Sequence, residues 1–354
     1  MRALFLIILT ACGTITPFLP ATGELSAITL PPGFSISVYA ENVTGARSLA
    51  FADGTLYIGT RAEGNVYAVR DLNADGFAED IRTILSNKHM PNGVVVQDES
   101  LYVAEIEQLV KYNLATMNSE VIARFPTETH HGWKYLRFGP DGKIYVPVGA
   151  PCNVCNTSDP YGTILRMNPD GSSLEVYARG IRNTVGFDWH PETNELYFTD
   201  NGRDWFGDDV PPDELNYAPT PGMNFGFPYC HGSLQDDAFV KKKCDEFTAP
   251  LAELGPHVAA LGMRFYAGEM FPAEYHNKAF IAEHGSWNRK EPIGYRITTV
   301  DVVTGEYKPF AEGWLNGGTA FGRPVDILVM EDGSMLVSDD KAGKVYRITY
   351  SQLT

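Results

Sequence analysis

Two adjacent histidines open the chemistry of this chain. His130 and His131 lie in THHGWK just ahead of the strand-like run YLRFGPDGKIYV, and a neutral imidazole presented from such a loop can act as general base or metal ligand. A histidine pair in a loop is more often merely hydrogen-bonded, so its surroundings decide. In GIRNTVGFDWHP, Arg182 and Asn183 precede an apolar run; an arginine there either clamps a carboxylate or pairs with an acid such as Asp188. The segment TDNGRDWFGDDVPPDELN gathers Asp200, Asp204, Asp208, Asp209, Asp213 and Glu214 in Gly- and Pro-bent chain, an oxygen supply suited to Ca²⁺. EHGSWNR and GRPVDI add Arg289 and Arg323 to a possible anion site. A second calcium candidate is DLNADGFAED, where Asp71, Asn73 and Asp75 followed by Gly76 match the first half of an EF-hand loop. Arg82 stands where the closing Glu of that loop belongs, and a turn-rich strand connection is the competing reading.

Something must hold these residues, and composition narrows what. Asp and Glu number 44 against 28 Lys and Arg, a net charge of -16, and no segment concentrates positive charge enough to neutralise a run of phosphates, which excludes nucleic-acid binding. With 44% hydrophobic and 20% charged residues the chain is not disordered. The 34 Gly, 23 Pro, 18 Tyr and 19 Phe favour one large β-rich domain. Short alternating apolar runs separated by turn formers dominate, without any long helical periodicity, so the fold class is all-β. A unit of turn, aliphatic, aromatic and strand recurs six times, around Tyr57, Tyr102, Tyr145, Tyr197, Phe280 and Leu336. The early spacings are near the ~40–50 residues of a four-stranded blade. The predicted architecture is a six-bladed β-propeller, with a long loop insertion from about Asp204 to His257 over one face. Phe34 to Ala40 is expected to complete the final blade and remove the open edges.

The first residues read as an export signal, with Arg2 ahead of the apolar run LFLIIL. Leu9, Thr10, Ala11 and Cys12 look like a lipobox, which divides the chain into a signal at 1–11, a linker at 12–29 and the propeller at 30–354, with lipid on Cys12. Ordinary secretory cleavage near Ala21 or Ala27 is the alternative. Either way the domain is exported, to the periplasm or cell surface, touching membrane only through an anchor. Setting Cys12 aside leaves four cysteines, and the local pairs Cys152 with Cys155 and Cys230 with Cys244 are the favoured connectivity among three. No second CxxC or CxxH accompanies CNVC, so zinc is disfavoured.

Taken together, HHGWKYLRFGPDGKIYVPVGAPCNVC, YARGIRNTVGFDWHP, TDNGRDWFGDDVPPDELN, GMNFGFPYCHG, EHGSWNRKEPIGYRI and GRPVDILVMEDGSMLVSDD resemble the glucose/sorbosone dehydrogenase family over nearly all of residues 30–350. The resemblance implies a six-bladed propeller that oxidises a sugar using pyrroloquinoline quinone (PQQ) and calcium and passes electrons to a further acceptor. It implies His131, ahead of Leu136, as general base; Arg182 and Asn183 at the quinone; Arg289 and Arg323 on the cofactor's carboxylates; Asn92 of MPNGV as an amide on the cofactor; and Asp208 and Asp209 as backbone ligands of the quinone-side Ca²⁺. His130 stands where the glucose-oxidising members have Asp, Tyr135 replaces an Arg, and Phe321 replaces one of two arginines, so glucose specificity is not implied. The competing readings are a calcium-dependent lactonase or esterase, which needs no cluster of cations, and a propeller that only binds a partner or glycan. Trp133, Trp205 and Trp287 offer faces for a sugar or cofactor ring, although most propeller tryptophans pack between blades.

Overall fold

The computed structural model describes residues 25–352. The proposed signal, and Cys12 with it, lies outside the described residues. Six sheets follow one another along the chain as blades, each built on four antiparallel strands, the third with a short fifth strand added at its edge. The first runs through Leu49–Ala52, Thr55–Ile58, Val66–Arg70 and Asp80–Leu85; the second starts at Gly93–Gln97, the third at Arg137–Phe138, the fourth at Phe187–Trp189, the fifth at Ala260–Phe265 and the sixth at Pro324–Val329. First strands of neighbouring blades lie against one another around the axis, as between blades one and two, four and five, five and six, and six and one.

Strands of about five residues are short because each blade spans only the wall of the ring. Their second strands are the repeats seen in sequence, and several, including Ile144–Val148, Ala279–Glu283 and Met335–Asp339, are buried along their whole length. Both faces pack, one against each adjoining blade, so the core is a circle of between-blade clusters such as Phe280, Phe310, Trp314 and Tyr346. The ring closes as expected: Phe34–Ala40 pairs antiparallel with Lys344–Tyr350, from Phe34 opposite Tyr350 to Ala40 opposite Val345. Phe34 fixes that closure, its ring meeting Phe271, Phe310 and Tyr350 at 4.7, 5.0 and 4.9 Å.

The insertion departs from expectation. Residues Pro212–Ala218 and Ala252–Pro256 are the third and fourth strands of blade four, so only 201–211 and 219–251 are excursions. The DELN stretch read as loop because its polar residues Asp213, Glu214 and Asn216 are buried inside the blade, which inverts the usual alternation. The second excursion adds Met223–Asn224 in parallel to the edge of blade three and is stapled by Cys230–Cys244. The other disulfide joins Cys152 and Cys155. Among the described residues no helix is long and apolar enough to cross a membrane.

Candidate active site

One end of the axis opens into a cavity of about 550 Å³. Its lining comes from two kinds of segment: residues just ahead of a blade's first strand, such as Arg47, His131, Arg182 and Arg323, and loops joining second and third strands, such as those carrying Arg61, Asp204 and Asn288. The strands fix both ends of these segments, so side chains from distant sequence converge.

His131 is 9% exposed and sits at φ 49°, a left-handed backbone unusual outside glycine. Its Nδ1 donates to the Ala150 carbonyl at 2.9 Å, which leaves Nε2 as the unprotonated atom. Burial, then Arg182 and His130, push its pKa down to about 2. The close seat requires Gly149, where a Cβ would fall 2.5 Å from the His131 Cβ. Lys134 is buried beneath the same loop and donates to the Gly132 carbonyl; burial pulls it down to about 8.

Four guanidinium groups face the cavity. Arg182 gives Nε to Asn153 O and Nη2 to Asn153 Oδ1 and Asp204 Oδ2, all at 2.8 Å, and Nη1 to Asn201 O at 3.2 Å. Four of its N–H groups are thereby spent within the protein, so it supplies charge and a single donor where the sequence suggested a carboxylate clamp. Its ionic partner is Asp204; Asp188 pairs with Arg137. Arg323 donates to the carbonyls of His284 (2.9 Å) and Gly285 (2.5 Å). Arg47 donates Nε to Asn92 Oδ1 at 2.9 Å and Nη1 to Asp340 Oδ2 at 3.0 Å, and His284 Nε2 donates to the other Asp340 oxygen at 2.8 Å. Arg61 lies over the Trp133 ring, 4.2 Å from its centroid. Trp133 lines the cavity, and its Nε1 is buried with no hydrogen-bond partner among the described residues.

The opposite wall is oxygen-rich. Asn183 and Asn201 share a hydrogen bond of 3.0 Å. Asp213 accepts from Gly202 N and Ala260 N, each at 2.9 Å, and burial pushes its pKa up to about 7. Behind it Glu214, across the strand pair from Asp200, is pushed to about 8 by burial and by that neighbour.

The structure thus brings His131, Arg182, Asn183 and Arg323 together at one cavity. It separates others. Asn92 is 1% exposed with both ends of its amide used, on Arg47 and on the Lys134 carbonyl, so it supports Arg47 from behind and does not line the cavity. Arg289 is spent on Asp208 O, the Asp209 carboxylate and Glu291 O, away from the lining, and this takes Asp208 and Asp209 out of the cavity too. From that loop the cavity receives Asn201, Gly202 and Asp204 instead. Arg47, Arg61 and His284 were missed in sequence, the two arginines because each stands alone without a motif and His284 because EHGSWNR was read for its arginine. Their signal is positional: Arg47 shares with Arg182 and Arg323 a place just ahead of a first strand.

At the second calcium candidate, Asp71, Asp75 and Glu79 bring ligand atoms within 4.8 Å of one another. Asn73, expected as a ligand, donates its amide to Glu79, while its Oδ1 and one oxygen each of Asp71 and Asp75 accept loop N–H groups. Glu79 supplies the carboxylate that Arg82 lacks. Asp71 Oδ1 is buried without a partner among the described residues.

The axial cavity of the six-bladed propeller thus joins a buried histidine to four arginines. The chain belongs to the glucose/sorbosone dehydrogenase family, whose model, described as Glucose / Sorbosone dehydrogenase, matches residues 97–288. It is 34% identical over 358 residues to an uncharacterized protein of Borreliella burgdorferi, covering 93% of this chain and 92% of that one. A 122-residue stretch is 33% identical to a pyrroloquinoline quinone-dependent pyranose dehydrogenase of Coprinopsis cinerea, 28% of this chain and 16% of that protein. Among solved structures, a Trichoderma reesei protein of Carbohydrate-Active Enzymes Family AA12 superposes with a TM-score of 0.81 at 19% identity, covering 95% and 100% of the chains. The PQQ domain of the Coprinopsis cinerea pyranose dehydrogenase, in its holo form, follows at 0.75 and 19%, covering 91% and 97%. These likenesses establish the shared fold.

Proposed function

We propose that this protein oxidises an aldose or sorbosone-type sugar with PQQ and calcium, His131 acting as general base. The observation that carries the reading is the meeting, in one cavity, of a histidine with a bare Nε2 and four arginines. A hydrolase has no use for so many cations, whereas a quinone bearing three carboxylates does. The unpartnered Trp133 Nε1 and the unspent N–H groups of Arg47, Arg61 and Arg323 fit such a ligand's acceptors. A divalent cation beside Asp213 would relieve the cost of holding that carboxylate in a dry site. Bound there, the quinone supplies the hydride acceptor that no side chain provides. His131 Nε2 takes the proton of the sugar hydroxyl while its Nδ1–H keeps the ring fixed on Ala150. Turnover would need an external electron acceptor.

The Asp71, Asp75 and Glu79 loop is proposed as a second, structural Ca²⁺ site. Export, with lipid on Cys12, is proposed from the leader; two disulfides suit an oxidising compartment. The test is dye reduction by purified protein with an aldose panel and sorbosone. Activity appearing only when PQQ and Ca²⁺ are both added bears out the reading. No activity together with no tight PQQ binding by absorbance titration sinks it.

A further inference from the structure

We propose that the mouth of the cavity carries a second sugar subsite, formed by Trp205, Trp287 and Asn288, which takes a pyranose ring glycosidically joined to the ring that reacts. This rests on the dehydrogenase reading and makes its preferred substrate a disaccharide or longer.

Trp205 is 68% exposed and Trp287 63%, while His131, where the reacting ring must reach, is 9% exposed. Burying an indole is among the most favourable things a fold can do with it, so two left adjoining in water, Trp287 in the cavity lining and Trp205 packed on it from outside that lining, mark a binding surface. Their rings stand edge to face, centroids 5.1 Å apart and planes at 90°, a packed corner that holds an indole face ready for the C–H face of a sugar. Trp205 also has φ 63°, a left-handed conformation that a bulky residue adopts only when its surroundings impose it.

The surroundings are a hydrogen-bonded knot shared with the cavity. Asp204, next to Trp205, takes Arg182 Nη2 on Oδ2 at 2.8 Å and Asn288 Nδ2 on Oδ1 at 3.0 Å. Asn153 Oδ1 accepts Asp204 N at 2.8 Å, and Asn153 Nδ2 donates to Asp204 O at 3.0 Å. The two tryptophan loops are therefore tied to each other and to Arg182, so the corner is preorganised.

Asn288 supplies the independent sign of a ligand. Its Nδ2 must face the Asp204 carboxylate, which fixes the amide orientation. Its Oδ1 is then a buried acceptor with no partner among the described residues, in a residue that lines the cavity. An acceptor closed off from water and left unmade is costly, and the missing group is a neutral donor such as a hydroxyl. A sugar ring brings both an apolar face and hydroxyls; an electron acceptor docking on the indoles would leave Asn288 unanswered.

The experiment compares glucose with maltose and cellobiose on holoenzyme, using a small dye, for wild type, Trp287→Ala, Trp287→Phe and Asn288→Ala. The expected result is a kcat/KM ratio of disaccharide over glucose that falls at least tenfold in both alanine variants, through KM, and returns in part with Phe. An unchanged ratio, or a loss confined to the dye's own KM, overturns the subsite. Intrinsic fluorescence of the PQQ-free protein titrated with maltitol and cellobiitol reads the subsite without turnover. A saturable change, abolished in a Trp205→Ala/Trp287→Ala double variant, upholds it even where no sugar is oxidised, an outcome that would sink the dehydrogenase reading alone. No saturable change in the wild type counts against the subsite.

Discussion

His131 is already in its basic form before any substrate arrives, because donation to Ala150 fixes the tautomer and burial refuses a second proton. His131→Ala should lower kcat by about 10²–10⁴-fold, the usual contribution of general-base catalysis, while the absorbance of bound PQQ persists; full turnover in the variant would remove His131 from that role. The pH profile follows with a definite sign. A base is competent above its pKa, and one held at about 2 stays competent as pH falls from 8 to 5. The kcat/KM of wild type should therefore show no acid limb near the ordinary imidazole value of about 6.5, and a limb there would mean the ring is solvated. The sequence made His131, Arg182 and Arg323 legible because each sits in a motif with neighbours. Asn92 and Arg289 also sit in motifs, yet their donors and acceptors are consumed by Arg47 and by Asp208 and Asp209, and partner choice across blades leaves no trace in local spacing.

At the scale of elements, all six repeats could be read because each second strand is a compact apolar run after a turn. Third strands were less visible, and Pro212–Ala218 was lost altogether because its carboxylates face inward. The loop between the third and fourth strands of blade one carries the separate calcium candidate. Asp75→Ala should lower calcium stoichiometry by one per chain in equilibrium dialysis, with the sites at the cavity unaffected; unchanged stoichiometry makes the loop an ordinary turn. The closing strand makes a further demand on its neighbours. Phe34 is half-buried among Phe271, Tyr275, Phe310 and Tyr350, and full burial of a Phe loses about 3–5 kcal/mol on truncation. Phe34→Ala should cost about 2 kcal/mol in denaturant unfolding, by the same principle scaled to partial burial. A loss too small to measure would mean that the strand contributes pairing alone.

Over the whole molecule, two sets of buried groups pull stability in opposite directions with pH. His131, His231 and His284 are held below their ordinary values, at about 2, 4 and 4, chiefly by burial. Their contribution is complete above the unfolded imidazole value of about 6.5 and is lost as pH falls. Asp213 and Glu214 are held high, at about 7 and 8, so theirs is complete below the unfolded carboxylate value of about 4 and drains away as pH rises. Between pH 6.5 and 8 the histidines complete the last of their gain and Lys134, held at about 8, begins to give up its proton, both opposing the carboxylates, whose loss is the larger. The metal-free protein should therefore melt at lower temperature at pH 8 than at pH 6.5, each unmatched proton being worth about 1.4 kcal/mol per pH unit. Glu214→Gln keeps an acceptor for Gly232 N and has nothing to ionise, so calorimetry in chelator should find a shallower fall for it than for wild type. Calcium should flatten the wild-type slope further by stabilising ionised Asp213 beside the cavity, since a cation favours the charged form of a neighbouring carboxylate. If the variant keeps the full slope in chelator, the buried carboxylates do not govern it, and the net charge of -16 acting through general repulsion would be the remaining source.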